Sequence, residues 1–310
     1  MQSIADALTS VRVGDPTVYR NLTVFPLFGD SATAAEYLTL DEALEQKCAV
    51  ITEVTESGSV PELKFINSGT RSVFLLDGEE MIGAKQNRVL NLSIMVAGGK
   101  TIIIPVSCVE AGRWSHRSRH FSSAPRAQYA EGRALKMAQV SASMRSTGKR
   151  RSDQMEVWDS ISAKSASFAV ASDTSAMSDI YEKEGARLED YVKSFSVKAG
   201  QTGALFAIGG RIVGLELFDS GDTLKKLSAK LLRSYGLDAL DQAMSKPSGK
   251  EANCTTAEAD AFLKNISDAK KEEFAAVGEG VDIRLSGPKL TGAALAVDDR
   301  IIHLTAFLSA

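Results

Sequence analysis

The 310-residue sequence predicts an α+β protein: mostly antiparallel sheet, a helical insertion, and helices packed on the sheet. Three observations carry this. Short β-rich runs separated by turn residues fill the region from Leu22 to Val109. Between about residues 124 and 196 that pattern gives way to small-residue-rich segments with apolar positions at helical spacing. Strand character then returns at Gly203–Phe218 and again near the C-terminus, with capped helices between. We read residues 1–310 as a single domain carrying this insertion.

In chain order, residues 1–20 have weak helical character, interrupted by Pro16. Leu22–Phe28 is a strand, and Pro26 within it predicts an edge or a strand end. Thr39-Leu-Asp-Glu42 has the capping-box form and predicts a short helix. Val50–Thr55, Leu63–Ile66 and Ser72–Leu76 are expected strands, and Asp77-Gly78 signals a hairpin into a returning strand, Glu79–Gly83. Val89–Val96 alternates like one strand. Thr101–Val109 follows the Ala97–Lys100 turn, and Pro105 again predicts an edge or bulge. Pro125 is placed near the start of a helix that ends at Ser146–Arg151. Asp153 caps a second helix, and Ser178–Phe195 forms a third. Gly209-Gly210 turns a hairpin, and Asp219 or Ser220 caps a Leu-rich helix. Lys246–Asn253 is a polar connection. Thr255-Thr-Ala-Glu258 opens a helix running to about Val277, and three strands end the chain.

Composition excludes several classes. No apolar run approaches the roughly 20 residues that span a bilayer, and the N-terminus has no basic-then-apolar leader. Three scattered cysteines, Cys48, Cys108 and Cys254, form no C-x-x-C pair, which argues against a disulfide framework and fits a reducing cytoplasm. Net charge is −3, yet residues 112–151 hold ten Lys or Arg against one acid, Glu131. That basic segment reads either as a surface for phosphate, nucleic acid or an acidic partner, or as a set of charges packed on the protein's own acids.

The stretch from Asp77 to Arg119 gathers the most chemically able residues. Glu79 and Glu80 are strand neighbours, so their side chains leave on opposite faces and a paired-carboxylate site is disfavoured. They read as two solvated turn residues or as one inward glutamate beside Lys85 or Arg88. Lys85, Gln86, Asn87, Arg88 and Asn91 form a polar run suited to phosphate, base or ribose edges, or to a simple loop. Cys108 is a thiol nucleophile only if a base lowers its pKa; a buried inert cysteine is the competing reading. Glu110 shares strand parity with Cys108 and pairs with Arg113 or orients a ligand. His116 and His120 are four apart, but Arg117 and Arg119 make a cation site unattractive, so no metal is expected. Trp114 among arginines suits base stacking or an interface.

The runs FLLDGEEMIGAKQNRVLN, TIIIPVSCVEAGRW and AIGGRIVGLELFDSGDTLKKLSAKLLRSYGLDAL resemble the ARG and rhodanese-phosphatase-superfamily-associated protein domain, a mainly bacterial family. The similarity runs from about Tyr19 to the last strand. It implies, by association, a role near ADP-ribose or nucleotide metabolism, and no catalytic residue is carried over from it. The expected function is therefore binding of a phosphorylated ribose-containing small molecule. Arg88, Arg113 and Lys85 would hold phosphate, Trp114 would stack, and Gln86, Asn87 and Asn91 would give polar specificity. Glu80 or Glu110 would act as acid or base in a hydrolytic step. The alternative is a non-enzymatic scaffold whose basic helical insertion docks a protein or nucleic acid.

Overall fold

The computed structural model describes residues 3–29, 35–56, 58–115, 117–245 and 254–308. The chain begins with α1 (Ile4–Thr9), β1 (Arg12–Val13), β2 (Thr17–Tyr19), β3 (Leu22–Phe28), β4 (Leu38–Thr39), α2 (Leu40–Glu45), β5 (Ala49–Glu53) and β6 (Glu62–Asn67). There follow β7 (Val73–Leu75), β8 (Glu79–Gly83), β9 (Arg88–Leu90), β10 (Ile94–Val96), β11 (Thr101–Cys108) and β12 (Phe121–Ala127). Four helices come next: α3 (Ala130–Thr147), α4 (Gln154–Ser167), α5 (Met177–Lys183) and α6 (Gly185–Ser194). The remainder is β13 (Gln201–Ile208), β14 (Arg211–Phe218), α7 (Gly221–Ser245), α8 (Thr256–Asp268), β15 (Lys270–Ala275), β16 (Val281–Gly287), β17 (Leu290–Val297) and β18 (Arg300–Leu308). The class is α+β with almost wholly antiparallel pairing; among the described residues only β4 with β7 is parallel. Among the described residues no helix is long and apolar enough to cross a membrane.

Where the sequence reads as one domain, the chain divides into two compact units. The first comprises Met1–Ala35, Arg187–Ala276 and Gly280–Ala310; the second comprises Glu36–Ala186 with Val277–Glu279.

The first unit is a nine-stranded sheet in the order β1-β3-β13-β14-β18-β17-β16-β15, with β2 also on β3. One face is apolar: Phe25, Leu205, Leu215, Leu304 and Ile283 pack with Ile4 and Leu8 of α1 and Phe262 and Ile266 of α8. On the other face α7 lays Tyr235 flat against Phe206, ring centroids 3.8 Å apart. Pro26 is not at an edge, because β3 runs between β13 and the two short strands. β2 pairs residues 22–24 and β1 pairs residues 27–28, so the missing N–H of Pro26 falls in the gap between them. Gly209 and Gly210, both at positive φ, turn the β13–β14 hairpin as their sequence predicts. The helix opened by Thr255 ends at Asp268, and β15 follows where the sequence suggested more helix. The Lys246–Asn253 connection lies outside the described residues.

The second unit holds a six-stranded sheet, β12-β8-β9-β11-β6-β5, and a three-stranded one, β10-β7-β4. The outermost strands of the larger sheet, β12 and β5, line one cleft of ≈ 520 Å³ together with α2. That sheet therefore curls until its two ends flank a helix. Thr39 caps α2 in a complete capping box with Glu42. Thr39→Ala is expected to cost about 1 kcal/mol, read as a lower urea midpoint; an unchanged midpoint would show the cap to be dispensable.

Several expectations are corrected here. Asp77-Gly78 is a tight turn but not a hairpin, since β7 and β8 belong to different sheets. Val89–Val96 is two strands, because Asn91 turns its side chain to Ser107 and to the Arg150 carbonyl and Ser93 binds the Asp77 N–H. Pro105 marks where β11 exchanges β6 for β9 as partner. Pro125 lies in β12, so residues 124–127 of the expected insertion are strand. The third helix is broken into α5 and α6 at Glu184–Gly185.

Candidate functional site

Lys85, Gln86, Asn87, Arg88, Glu110, Arg113 and Trp114 are brought together in the second unit, where the turn from β8 to β9 meets the chain leaving β11. What joins them is a buried ion pair. Arg113 reaches Glu110 through Nε to Oε1 at 2.8 Å and Nη2 to Oε2 at 2.6 Å. The same guanidinium donates to the carbonyls of Ala84 and Ser115 and to Asn87 Oδ1. Glu110, with no exposed surface, also accepts the Asn87 N–H at 3.0 Å and the Thr174 hydroxyl at 3.0 Å. Burial acts to raise the Glu110 pKa, but the hydrogen bonds from Arg113 and Asn87 outweigh it and hold the carboxyl below its ordinary value. Both oxygens of Glu110 and the whole Arg113 fork are committed to folding the 83–88 turn. The Gln86 amide is committed as well, to the Glu110 carbonyl and to Arg88.

Arg88 is different. It is fully buried, yet only Nη1 finds partners, on Gln86 and the Asn87 carbonyl. Its Nε and Nη2 have no hydrogen-bond partner. The Trp114 ring lies 5.8 Å from the guanidinium carbon and 5.3 Å from the Lys85 ammonium, and Trp114 is 48% exposed. Glu53, at the end of β5, also carries a buried oxygen without a partner, Oε2. A Cβ added to Gly58 would lie 3.2 Å from Lys85 Cδ, 3.4 Å from Glu53 Oε2 and 3.4 Å from Trp114 Cζ2. Three candidate ligand groups thus converge on one point over which the Gly58 backbone passes, and glycine at φ +78° keeps that point open.

Cys108 is the cross-strand partner of Arg88 and hydrogen-bonds Gln86 Oε1 at 3.2 Å. Burial pushes its thiol pKa up, against the pull of the Arg88 charge, and no surface of it is exposed. This is an inert cysteine, not a nucleophile. Glu79 and Glu80 are both fully buried, so neither is a solvated turn residue. Glu79 accepts the Leu76 N–H; Glu80 pairs with Arg126 at 2.5 Å, and burial raises its pKa despite that cation. Glu80 faces Val89 across the sheet while Met81 faces Arg88, so Glu80 leaves on the face opposite Arg88. Asn91 is spent on Ser107 and the Arg150 carbonyl. His120 lines the α2 cleft; His116 lies outside the described residues.

Four of the ten cations of the basic segment turn inward: Arg113, Arg126, Arg133 and Lys136 pair with Glu110, Glu80 and Asp77. Much of the charge that suggested a docking surface therefore neutralises buried acids.

Glu53 was not among the residues expected at a site; its local signal is no more than a carboxylate ending a β-rich run. A polar group in the first unit was not expected either. Glu216 and His303 meet at 3.0 Å, the Tyr235 hydroxyl donates to Glu216 at 3.0 Å, and Asp282 and Arg284 pair at 2.7 Å. The signal there was charge at alternate positions inside apolar strands, as in Gly214-Leu-Glu-Leu217 and Val281-Asp-Ile-Arg-Leu285.

The sequence profile of the ARG and Rhodanese-Phosphatase-superfamily-associated Protein domain matches residues 10–307, so the chain belongs to that family. Searches of curated proteins and of solved structures returned no match.

Proposed function

We propose that this member of the family binds a phosphorylated, ribose-containing small molecule, ADP-ribose or nucleotide-like, against Arg88 and Trp114. One observation carries the reading: a fully buried guanidinium keeps two donors unpaired. Leaving such donors unmet costs about 1–3 kcal/mol each, a cost that an oxyanion removes. Arg88 takes the phosphate, Lys85 adds positive charge, and Trp114 offers a ring on which a base stacks. Glu53 Oε2 accepts a ribose hydroxyl, and in any hydrolytic step it is the carboxylate oxygen at hand to take a proton. Glu110, Arg113, Gln86 and Asn87 position the turn. Because Arg88 lies beneath Trp114, binding requires the indole to shift.

Thermal-shift and tryptophan-fluorescence titrations with ADP-ribose, NAD and nucleoside phosphates test this. Arg88→Met replaces a buried charge with similar apolar volume and is expected to fold as well as the wild type. It should weaken binding about tenfold or more, the worth of charge-assisted contacts. No response to any of these ligands, or equal responses in wild type and Arg88→Met, would refute the proposal.

A further inference from the structure

The polar face of the nine-stranded sheet holds a second set of unmet groups. Arg284 and Thr305 are each 1% exposed. Arg284 gives Nη2 to Asp282 at 2.7 Å, while its Nε and Nη1 have no partner, and Thr305 Oγ1 has none either. Register places them on one face. Arg284 opposes Ala293, Ala293 opposes Thr305, and Thr305 opposes Glu216. Directly opposed residues on adjacent antiparallel strands share a face. The small Ala293 between the two orphaned groups lies on an interior strand yet remains partly uncovered. Three buried, unpaired polar atoms thus belong to side chains that flank a small, partly uncovered residue on one face of the sheet.

The neighbouring groups are tied to one another. Glu216 is fully buried and held between His303 Nε2 and the Tyr235 hydroxyl. His303 stacks on Phe218 with centroids 4.6 Å apart, and Tyr235 is stacked on Phe206.

We propose that the sheet face at Arg284, Ala293 and Thr305 is a second ligand site, for the oxyanion of a small molecule, a carboxylate or phosphoryl group. Arg284 donates to the oxyanion through Nε and Nη1, and Thr305 donates its hydroxyl. Ala293 forms the floor, and any larger side chain there would fill the space. Asp282 orients the guanidinium from its remaining nitrogen. The site uses none of the residues assigned around Arg88 and stands independently of that reading.

The test is titration calorimetry of the full chain with inorganic phosphate and with acetate, at constant ionic strength set with sodium chloride. The Arg88→Met chain, which lacks the other proposed site, should still bind at least one of the two anions. Phosphate alone identifies a phosphoryl group, and acetate binding identifies a carboxylate. Adding Thr305→Val to that chain should weaken the binding about tenfold or more. Without anion, Thr305→Val should melt no lower than the wild type, because it removes an unpaired buried hydroxyl. Arg284→Lys keeps a charge beside Asp282 and removes the fork, and should weaken binding likewise. Failure of both anions to bind the Arg88→Met chain would overturn the proposal, as would binding unchanged by both Thr305→Val and Arg284→Lys.

Discussion

Arg113→Ala is expected to destabilise the second unit by about 3–5 kcal/mol, the usual cost of removing one partner from a buried ion pair. Arg113 is 6% exposed and Glu110 is fully buried, so the carboxylate would keep only the more distant, exposed Arg117 at 3.8 Å as a cation. The Ser115 carbonyl loses its side-chain donor at the same time, and the Ala84 carbonyl keeps only the Arg117 N–H. For a unit of this size the loss corresponds to a melting temperature lower by about 10 °C or more. Glu110 also sets a pH dependence. Its folded pKa lies below the ordinary value, so its contribution is fully present above the unfolded-state pKa of roughly 4.3 and is lost as pH falls through the folded pKa. Glu110→Gln should flatten the acid limb of the stability profile below about pH 4. An Arg113→Ala protein that melts with the wild type, or an acid limb unchanged by Glu110→Gln, would remove the pair from its structural role.

The contrast between Arg113 and Arg88 shows how far the sequence could be read. Both were placed in one neighbourhood, and the structure brings them there. Their roles differ because one fork is saturated and the other is not, and saturation depends on Glu110, Asn87 and three carbonyls that converge only in the fold. Local signals were sound: the capping boxes at Thr39 and Thr255 and the Gly209-Gly210 hairpin all appear where their residues predict them. What local pattern could not supply was sheet membership. β7 and β8 flank a tight turn, as do the two strands of a hairpin, and only the pairing of β7 with β10 and β4 separates them. Proline at position 26 was read as an edge or a strand end, and at position 105 as an edge or a bulge. In the fold each falls where a strand changes or lacks a partner on one side, which removes the need for an N–H just as an edge does. The charges inside β14, β16 and β18 were read through as strand: Glu216 and His303 meet only because β14 pairs with β18, whereas Asp282 and Arg284 stand two apart on β16, on one face of that strand.

Asp77→Ala should be the more damaging change, costing at least the same 3–5 kcal/mol. Asp77 is 1% exposed and meets two cations that have no exposed surface: Arg133 through Nε at 3.3 Å and Lys136 through Nζ at 3.1 Å. Arg133 and Lys136 stand three apart on α3, so they share one helix face. Lys136 also donates to the Leu90 carbonyl, and Gly78 donates to that carbonyl from the turn. The aspartate thereby fixes α3 to the turn that carries the chain from the smaller sheet to the larger. Gly78 completes the arrangement: its φ is +79°, and a Cβ there would lie 2.8 Å from Arg133 Cδ. Lys136→Met leaves the Asp77–Arg133 pair in place and should cost less than Asp77→Ala. In the Asp77→Ala/Lys136→Met double variant one buried cation is gone, so it should recover part of the loss; a denaturant-melting cycle measures that coupling. If the two single changes proved additive, the carboxylate and the lysine would be acting separately, and Lys136 would have no part in attaching α3 through Asp77.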